Sequence, residues 1–247
     1  MLRLIPAALA GLLASLLGCT HDTERALEPL SVEASYQLHF DGQLVGHALF
    51  ILRTNAAGDY RIEAFTVPAG KMQRAADHEV LEVSEGSIDL QQVRPSYFEH
   101  SVLNSTGVGA IRMHFDWTGA QLRLTAAGHE RSITLLPNTQ DRLSYLLAAR
   151  QMVLGDAESR ILPIATPEVT DENRLRRLGE AEVELPGGRY NAIEIERITP
   201  AAGERRSLWY REAVCPLPLR IEHQTDRHIV DMVLEHCQAS TETEING

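Results

Sequence analysis

Cysteine, histidine and carboxylate side chains are the groups of this 247-residue chain that could do chemistry, and their spacing limits what that chemistry can be. Ten histidines invite a metal or proton-transfer reading. Yet His78-Glu79-Val80-Leu81-Glu82 lacks the second histidine of a zinc-protease helix and lies in an alternating, strand-like stretch. No Gly-x-Ser-x-Gly elbow, phosphate loop or dinucleotide fingerprint occurs, so neither nucleophilic hydrolysis nor nucleotide chemistry has a motif behind it. An enzyme on cell-wall or lipid substrates would have acids such as Glu99 or Asp141 act beside His100, and its signature would be two carboxylates, or a histidine and an acid, converging in one cleft. Asp141 has a plainer explanation, because an acid in the first turn of a helix is favoured by the helix dipole. The net charge of −11, with Lys71 the only lysine, leaves no basic stripe for nucleic acid. No catalytic residue, metal or cofactor is therefore assigned, and the balance leans away from an enzyme.

The cysteines carry more information. Residues 1–18 read as a secretory signal: Arg3 is the charged start, and Leu4 to Leu17 form an apolar run too short to span a bilayer. It ends in Leu16-Leu17-Gly18-Cys19, which resembles the lipobox of bacterial lipoproteins. Small Gly18 would admit the peptidase, and the Cys19 thiol would accept the diacylglyceryl group. Two or more acyl chains bind a membrane essentially permanently, so Cys19 implies a membrane partner through a lipid anchor and a periplasm-facing protein. Thr20 is not the aspartate that resembles an inner-membrane retention signal, which points to the outer membrane. Residues 19–31 read as a lipidated tether.

Cys215 and Cys237 lie in the last hairpin. With Thr225-Asp226 as a two-residue loop, Leu217 faces Leu234, Leu219 faces Met232, Ile221 faces Val230, and Arg220 faces Asp231. That register sets His223 opposite His228 at a strand end and Cys215 opposite His236, with Cys237 on the other face. A Cys215–Cys237 disulfide then requires a bulge or frayed pairing. An oxidising periplasm favours the bond, so pattern and location pull in opposite directions.

The elements that would position these groups are mostly strands. Period-two alternation runs through Tyr36 to Phe40, Val45 to Leu52, Tyr60 to Thr66, Glu79 to Val83, Ser87 to Val93, Ile111 to Trp117, Gln121 to Thr125 and Arg131 to Leu135. Turns are expected at Asp41-Gly42, Asn55 to Gly58, Glu85-Gly86, Thr118-Gly119 and Gly128. Asn138 to Leu154 breaks the pattern with leucines at helical spacing, Asn138 as cap and Gly155 as stop. Strands resume at Ile161 to Ala165, Leu178 to Leu185, Tyr190 to Ile198, Ser207 to Arg211, Leu217 to His223 and His228 to His236. The expected fold is mainly β with one central α-helix, a curved antiparallel sheet or partly closed β-barrel. One β-rich domain spans 32–238, Thr166 to Arg177 is its weakest point, and 239–247 reads as a flexible tail. Glu180, Glu182, Glu184, Glu194 and Glu196 alternate with apolar residues, giving an acidic face that reads as the wet side of a half-buried sheet.

Several short motifs occur in order: Asp41-Gly42 with Gly46, Arg94-Pro95-Ser96-Tyr97, Asp141-Arg142-Leu143-Ser144, Leu185-Pro186-Gly187-Gly188, Leu208-Trp209 and Leu217-Pro218-Leu219-Arg220-Ile221. Together they resemble the bacterial family called domain of unknown function 3108, over about Tyr36 to Leu234. The resemblance implies an exported envelope protein rich in antiparallel strands and brings no catalytic residue. A sheet curled around a helix is also similar, at fold level only, to half-barrel carriers of lipoproteins or lipids. The functional expectation is a non-enzymatic envelope lipoprotein whose partner is a lipophilic ligand or an envelope protein, with Leu143 and Leu147 lining the cavity. The alternatives are a hydrolase on cell-wall or lipid substrates and a structural assembly factor, the last marked by an exposed apolar patch.

Overall fold

A computed structural model describes residues 29–70, 78–104, 107–155, 157–166, 170–199 and 203–241. Fourteen strands form one antiparallel sheet: β1 Leu30–Phe40, β2 Gln43–Thr54, β3 Asp59–Pro68, β4 His78–Ile88, β5 Val93–Asn104, β6 Gly107–Asp116, β7 Gln121–Ala126, β8 His129–Thr134, β9 Ser159–Ala165, β10 Thr170–Leu185, β11 Gly188–Ile198, β12 Arg205–Arg211, β13 Cys215–Gln224 and β14 Ile229–Thr241. Their order is β8-β7-β6-β5-β4-β3-β2-β1-β14-β13-β12-β11-β10-β9, so the first and last strands pair at the centre and the sheet stays open between β8 and β9. The helix α1, Ser144–Leu154, follows β8 in the chain and packs against β5, β9, β10 and β13. This is the curved, partly closed antiparallel architecture expected from the alternation.

Alternation dictates which way each strand faces. Val32, Ala34 and Tyr36, then Ala48, Phe50 and Leu52, then Tyr60, Ile62 and Ala64 are buried on the concave side, and Leu143, Leu146, Leu147 and Met152 of the helical segment meet them. The residues ahead of α1 lace the open seam: Gln140 N–H donates to Pro163 O at 2.8 Å, and Ala165 N–H donates to Gln140 O at 2.8 Å. The chain leaving β8 is thereby fastened to β9, the opposite edge, which shields an edge strand from stray pairing.

Local chemistry explains the turns. Asp41 and Gly42 both take positive φ, 48° and 76°, the two-residue hairpin geometry that matches strand twist. Asn55 Oδ1 accepts from the backbone N–H of Ala57 and Asp59, closing the β2–β3 loop.

Several expected boundaries are corrected. Glu85-Gly86 lies inside β4 and is not a turn; it faces a bulge at Ser96 of β5, and a Cβ on Gly86 would sit 2.1 Å from Arg94 O, so only glycine fits this approach. The turn is Asp89 to Gln92, where Asp89 Oδ1 accepts from the N–H of Gln91 and Gln92, and β5 is a full strand that alternation did not separate. The helix starts at Ser144, and Asn138 is a positive-φ residue in the connector, not its cap. β10 begins within the stretch read as the weakest point, β1 begins inside the expected tether, and the expected tail is paired through Thr241. The signal segment, Cys19 and most of the tether lie outside the described residues.

Candidate functional site

The helix fills only part of the concave face. Its start is held by a buried cap: Asp141 Oδ1 accepts the N–H of Leu143 and of Ser144, each at 2.8 Å, and Ser144 Oγ accepts the Asp141 N–H in return. On its other side Asp141 Oδ2 accepts from Ser84 Oγ at 2.7 Å, and Tyr60 OH lies 3.0 Å from that Oγ. Burial raises the Asp141 carboxyl to about 6, opposed by the backbone and hydroxyl hydrogen bonds. Asp141 therefore bolts the helix to β4 and, through Ser84, to Tyr60 of β3; its carboxylate bonds Ser84, Leu143 and Ser144 and not His100. Leu143 and Leu147, expected to line a cavity, are fully packed core.

Beyond the helix start the concave face is open and half polar. Glu82 and His100 are cross-strand partners on β4 and β5, with His100 Nδ1 2.9 Å from Glu82 Oε1, and Arg142 Nη1 reaches the same oxygen at 3.3 Å. Next to them, at the β5–β6–β7 end of the sheet, is an open cleft of about 770 Å³ whose lining includes His100, Val102, Ile111 and Ala126 from this face and Arg112 from the other. Across the mouth, Arg197 on β11 pairs with Arg206 on β12, which pairs with His223 on β13. Arg197 is 7% exposed; its Nε donates to Asn173 Oδ1 at 3.0 Å and its guanidinium lies 4.9 Å from the Tyr145 ring centre. Burial lowers its pKa, Tyr145 opposes this, and repulsion from Arg206 and Arg142 adds to it. Glu204 lies 3.3 Å from His223 Nε2 and 3.5 Å from Arg206 Nη2. His223 is lowered by burial and by Arg206, with Glu204 opposing. Half-buried Leu38, Ile221, Val230 and Met232, with exposed Phe40, complete the mouth.

The other proposed partners separate. Glu99 points to the convex face, opposite to His100, where Ser101, Tyr97 and Arg112 bond it; these bonds outweigh its burial and hold its carboxyl down at about 2. His223 and His228 are not opposed: the last hairpin has the wider loop Thr225 to His228, so His223 meets Val230 and His228 bonds Asp41. Arg220 sits opposite Val233 and reaches Asp231 diagonally at 2.8 Å. The acidic face around Gly187-Gly188 is largely paired, Glu194 and Glu196 with Arg205 and Arg176, Glu182 with Arg189.

Cys215 and Cys237 are joined by a disulfide with Cα atoms 5.9 Å apart. A two-residue register shift keeps every β14 residue on its expected face, so the shift alone would still separate the thiols. The bulge at Glu235, which β1 skips between Ser35 and Tyr36, reverses the alternation and turns Cys237 inward beside Ala34. The convex face carries a row of exposed cross-strand neighbours, Leu49, Phe65 and Leu81. Alternation could have located the mouth arginines, since Arg197 and Arg206 occupy apolar-phase positions of their strands; the inward arginine was the signal overlooked.

No curated protein matches the chain. Among solved structures, a β-barrel-like protein of domain of unknown function DUF1849 from Brucella abortus is similar over 87% of this chain and 99% of its own, with a TM-score of 0.59 and 8% identity, a likeness of fold alone. A protein with a YmcC-like fold from Bacteroides fragilis covers 85% of this chain and 95% of its own at 10% identity, but its TM-score of 0.25 carries no argument. The family model described as protein of unknown function (DUF3108) matches residues 35–234, the whole sheet from β1 into β14 with the helix and the mouth, and the chain belongs to that family.

Proposed function

We propose that this protein is an exported, lipid-anchored envelope protein that holds a lipophilic ligand in the uncovered part of its concave face. One observation carries the reading: α1 packs one region of the half-barrel, while Val102 and Ile111 stay partly exposed beside an open cleft of about 770 Å³, and Leu38, Phe40, Ile221 and Met232 stay partly exposed elsewhere on the inner surface. Open volume of that order, apolar with a few convergent polar groups, is what ligand sites have in common. The lipobox-like Leu16-Leu17-Gly18-Cys19 supports the anchor and a periplasm-facing position at the outer membrane. A soluble mouth on a fixed tether suits short-range handling of material that membranes supply.

The test is native mass spectrometry of the protein purified gently from the envelope. A stoichiometric small lipophile released on denaturation is the expected result; an empty, monomeric protein overturns retention and shifts the concave face to a protein partner. Cys19→Ser should abolish incorporation of labelled acyl chains, and retained label would refute the anchor. One observation favours a second reading, a hydrolase: Glu82 orients His100 beside the cleft, as a carboxylate orients a general base. Turnover of envelope lipid esters that His100→Gln abolishes without unfolding the protein would establish it.

A further inference from the structure

The arginines of the mouth are arranged against their own electrostatics. Arg197 and Arg206 are directly opposed on neighbouring strands, an arrangement that destabilises a sheet when both residues carry the same charge. Among the described residues no carboxylate comes within 4.0 Å of the Arg197 guanidinium, whose partners are the neutral Asn173 and the Tyr145 ring. Arg206 reaches Glu204 only at 3.5 Å through Nη2, and its Nε is buried with no hydrogen-bond partner. Arg142 is near enough to repel Arg197 and shares Glu82 with His100. Glu82 and Glu204 are the carboxylates facing this group, His223 is biased toward its neutral form, and three guanidiniums are left incompletely matched. A buried guanidinium donor without an acceptor is costly, and its planar fork fits a carboxylate or phosphate. On the same inner face, Ile221 lies two residues from His223, and Ile221, Met232 and Leu38 follow one another across β13, β14 and β1 as a half-buried apolar strip.

We propose that Arg197 and Arg206, with Arg142 beside them, form a head-group site that takes the carboxylate or phosphate of an anionic amphiphile, its hydrocarbon lying over Ile221, Met232 and Leu38. The proposal rests on the reading of the concave face as a lipophile site and names its ligand class. An acidic protein repels such a head group at long range, so the local cluster supplies selectivity for the head while the strip supplies affinity for the chain.

The experiment uses the full, processed protein in a neutral detergent, offered equimolar laurate and dodecanol, with inorganic phosphate in a parallel sample, and reads occupancy by native mass spectrometry. Laurate should exceed dodecanol at least tenfold. Arg206→Gln and Arg197→Met should each cut laurate occupancy about tenfold, the size of one charged hydrogen bond, and leave dodecanol unchanged. Half-exposed Arg206 keeps the test decisive if the Arg197 variant does not fold, as judged by its melting curve. Equal occupancy by laurate and dodecanol overturns the head-group site and leaves the lipophile reading standing. Retention of neither overturns both, and phosphate held as well as laurate shows a free-anion site and overturns the amphiphile.

Discussion

Asp141 makes the fold's stability depend on pH in a direction opposite to that of most carboxylates. Burial lifts its carboxyl from an ordinary 3.8 to about 6, so the folded chain holds a proton that the unfolded chain releases. The stabilisation linked to that proton is complete below 3.8, declines as pH rises from there to about 6, and is gone above it. A shift of roughly two units corresponds to about 3 kcal/mol, of which about 2 kcal/mol falls between pH 4 and pH 7. Asp141→Asn isolates the effect: the amide oxygen still accepts from Leu143 and Ser144, and the Ser84 hydroxyl can turn to accept from the amide nitrogen. Urea unfolding of both proteins at intervals from pH 4 to pH 7 gives the difference in unfolding free energy. Asp141→Asn should gain about 2 kcal/mol on wild type across that range, all other titrations cancelling. Parallel curves would refute the reasoning, because they would mean that the carboxyl titrates alike in both states.

Three further outcomes follow from the packing. Removing the Cys215–Cys237 bridge as a Cys215→Ala, Cys237→Ala pair should cost about 3 kcal/mol, the loop-closure value for a 22-residue separation, seen as a lower urea midpoint. Tyr36→Phe strands the buried Pro218 carbonyl that its hydroxyl now bonds at 2.8 Å, and should cost about 1–3 kcal/mol in the same assay. Gly86→Ala forces a methyl against Arg94 O beside the Ser96 bulge of β5; a loss of at least about 2 kcal/mol is expected, and a neutral effect would show that β4 and β5 can move apart there.

The strand-rich fold was legible because a period of two is written into each strand by burial of one face: Tyr36, Leu38 and Phe40 declare theirs without help. Asp41-Gly42 was legible because few residues tolerate two successive positive φ values. β5 was harder, since Arg94 to Asn104 carries Glu99 on one face and His100 on the other, and polar residues on both sides erase the alternation. The helix cap was misplaced by three residues because Asn138 and Asp141 are both good caps in isolation; the contact with Ser84 on a distant strand selects Asp141.

What the sequence determined alone is whatever depends on neighbours along the chain: the class of fold, the helix between β8 and β9, and most of the turns. Only the tertiary structure decided what depends on counting residues between strands. One unpaired residue, Glu235, reverses the facing of everything after it, and that reversal brings Cys237 to Cys215. The same long-range pairing sets Arg197 opposite Arg206 and Glu82 opposite His100. Facing is a sum over bulges, and a bulge is stabilised by contacts between strands that a linear pattern does not contain.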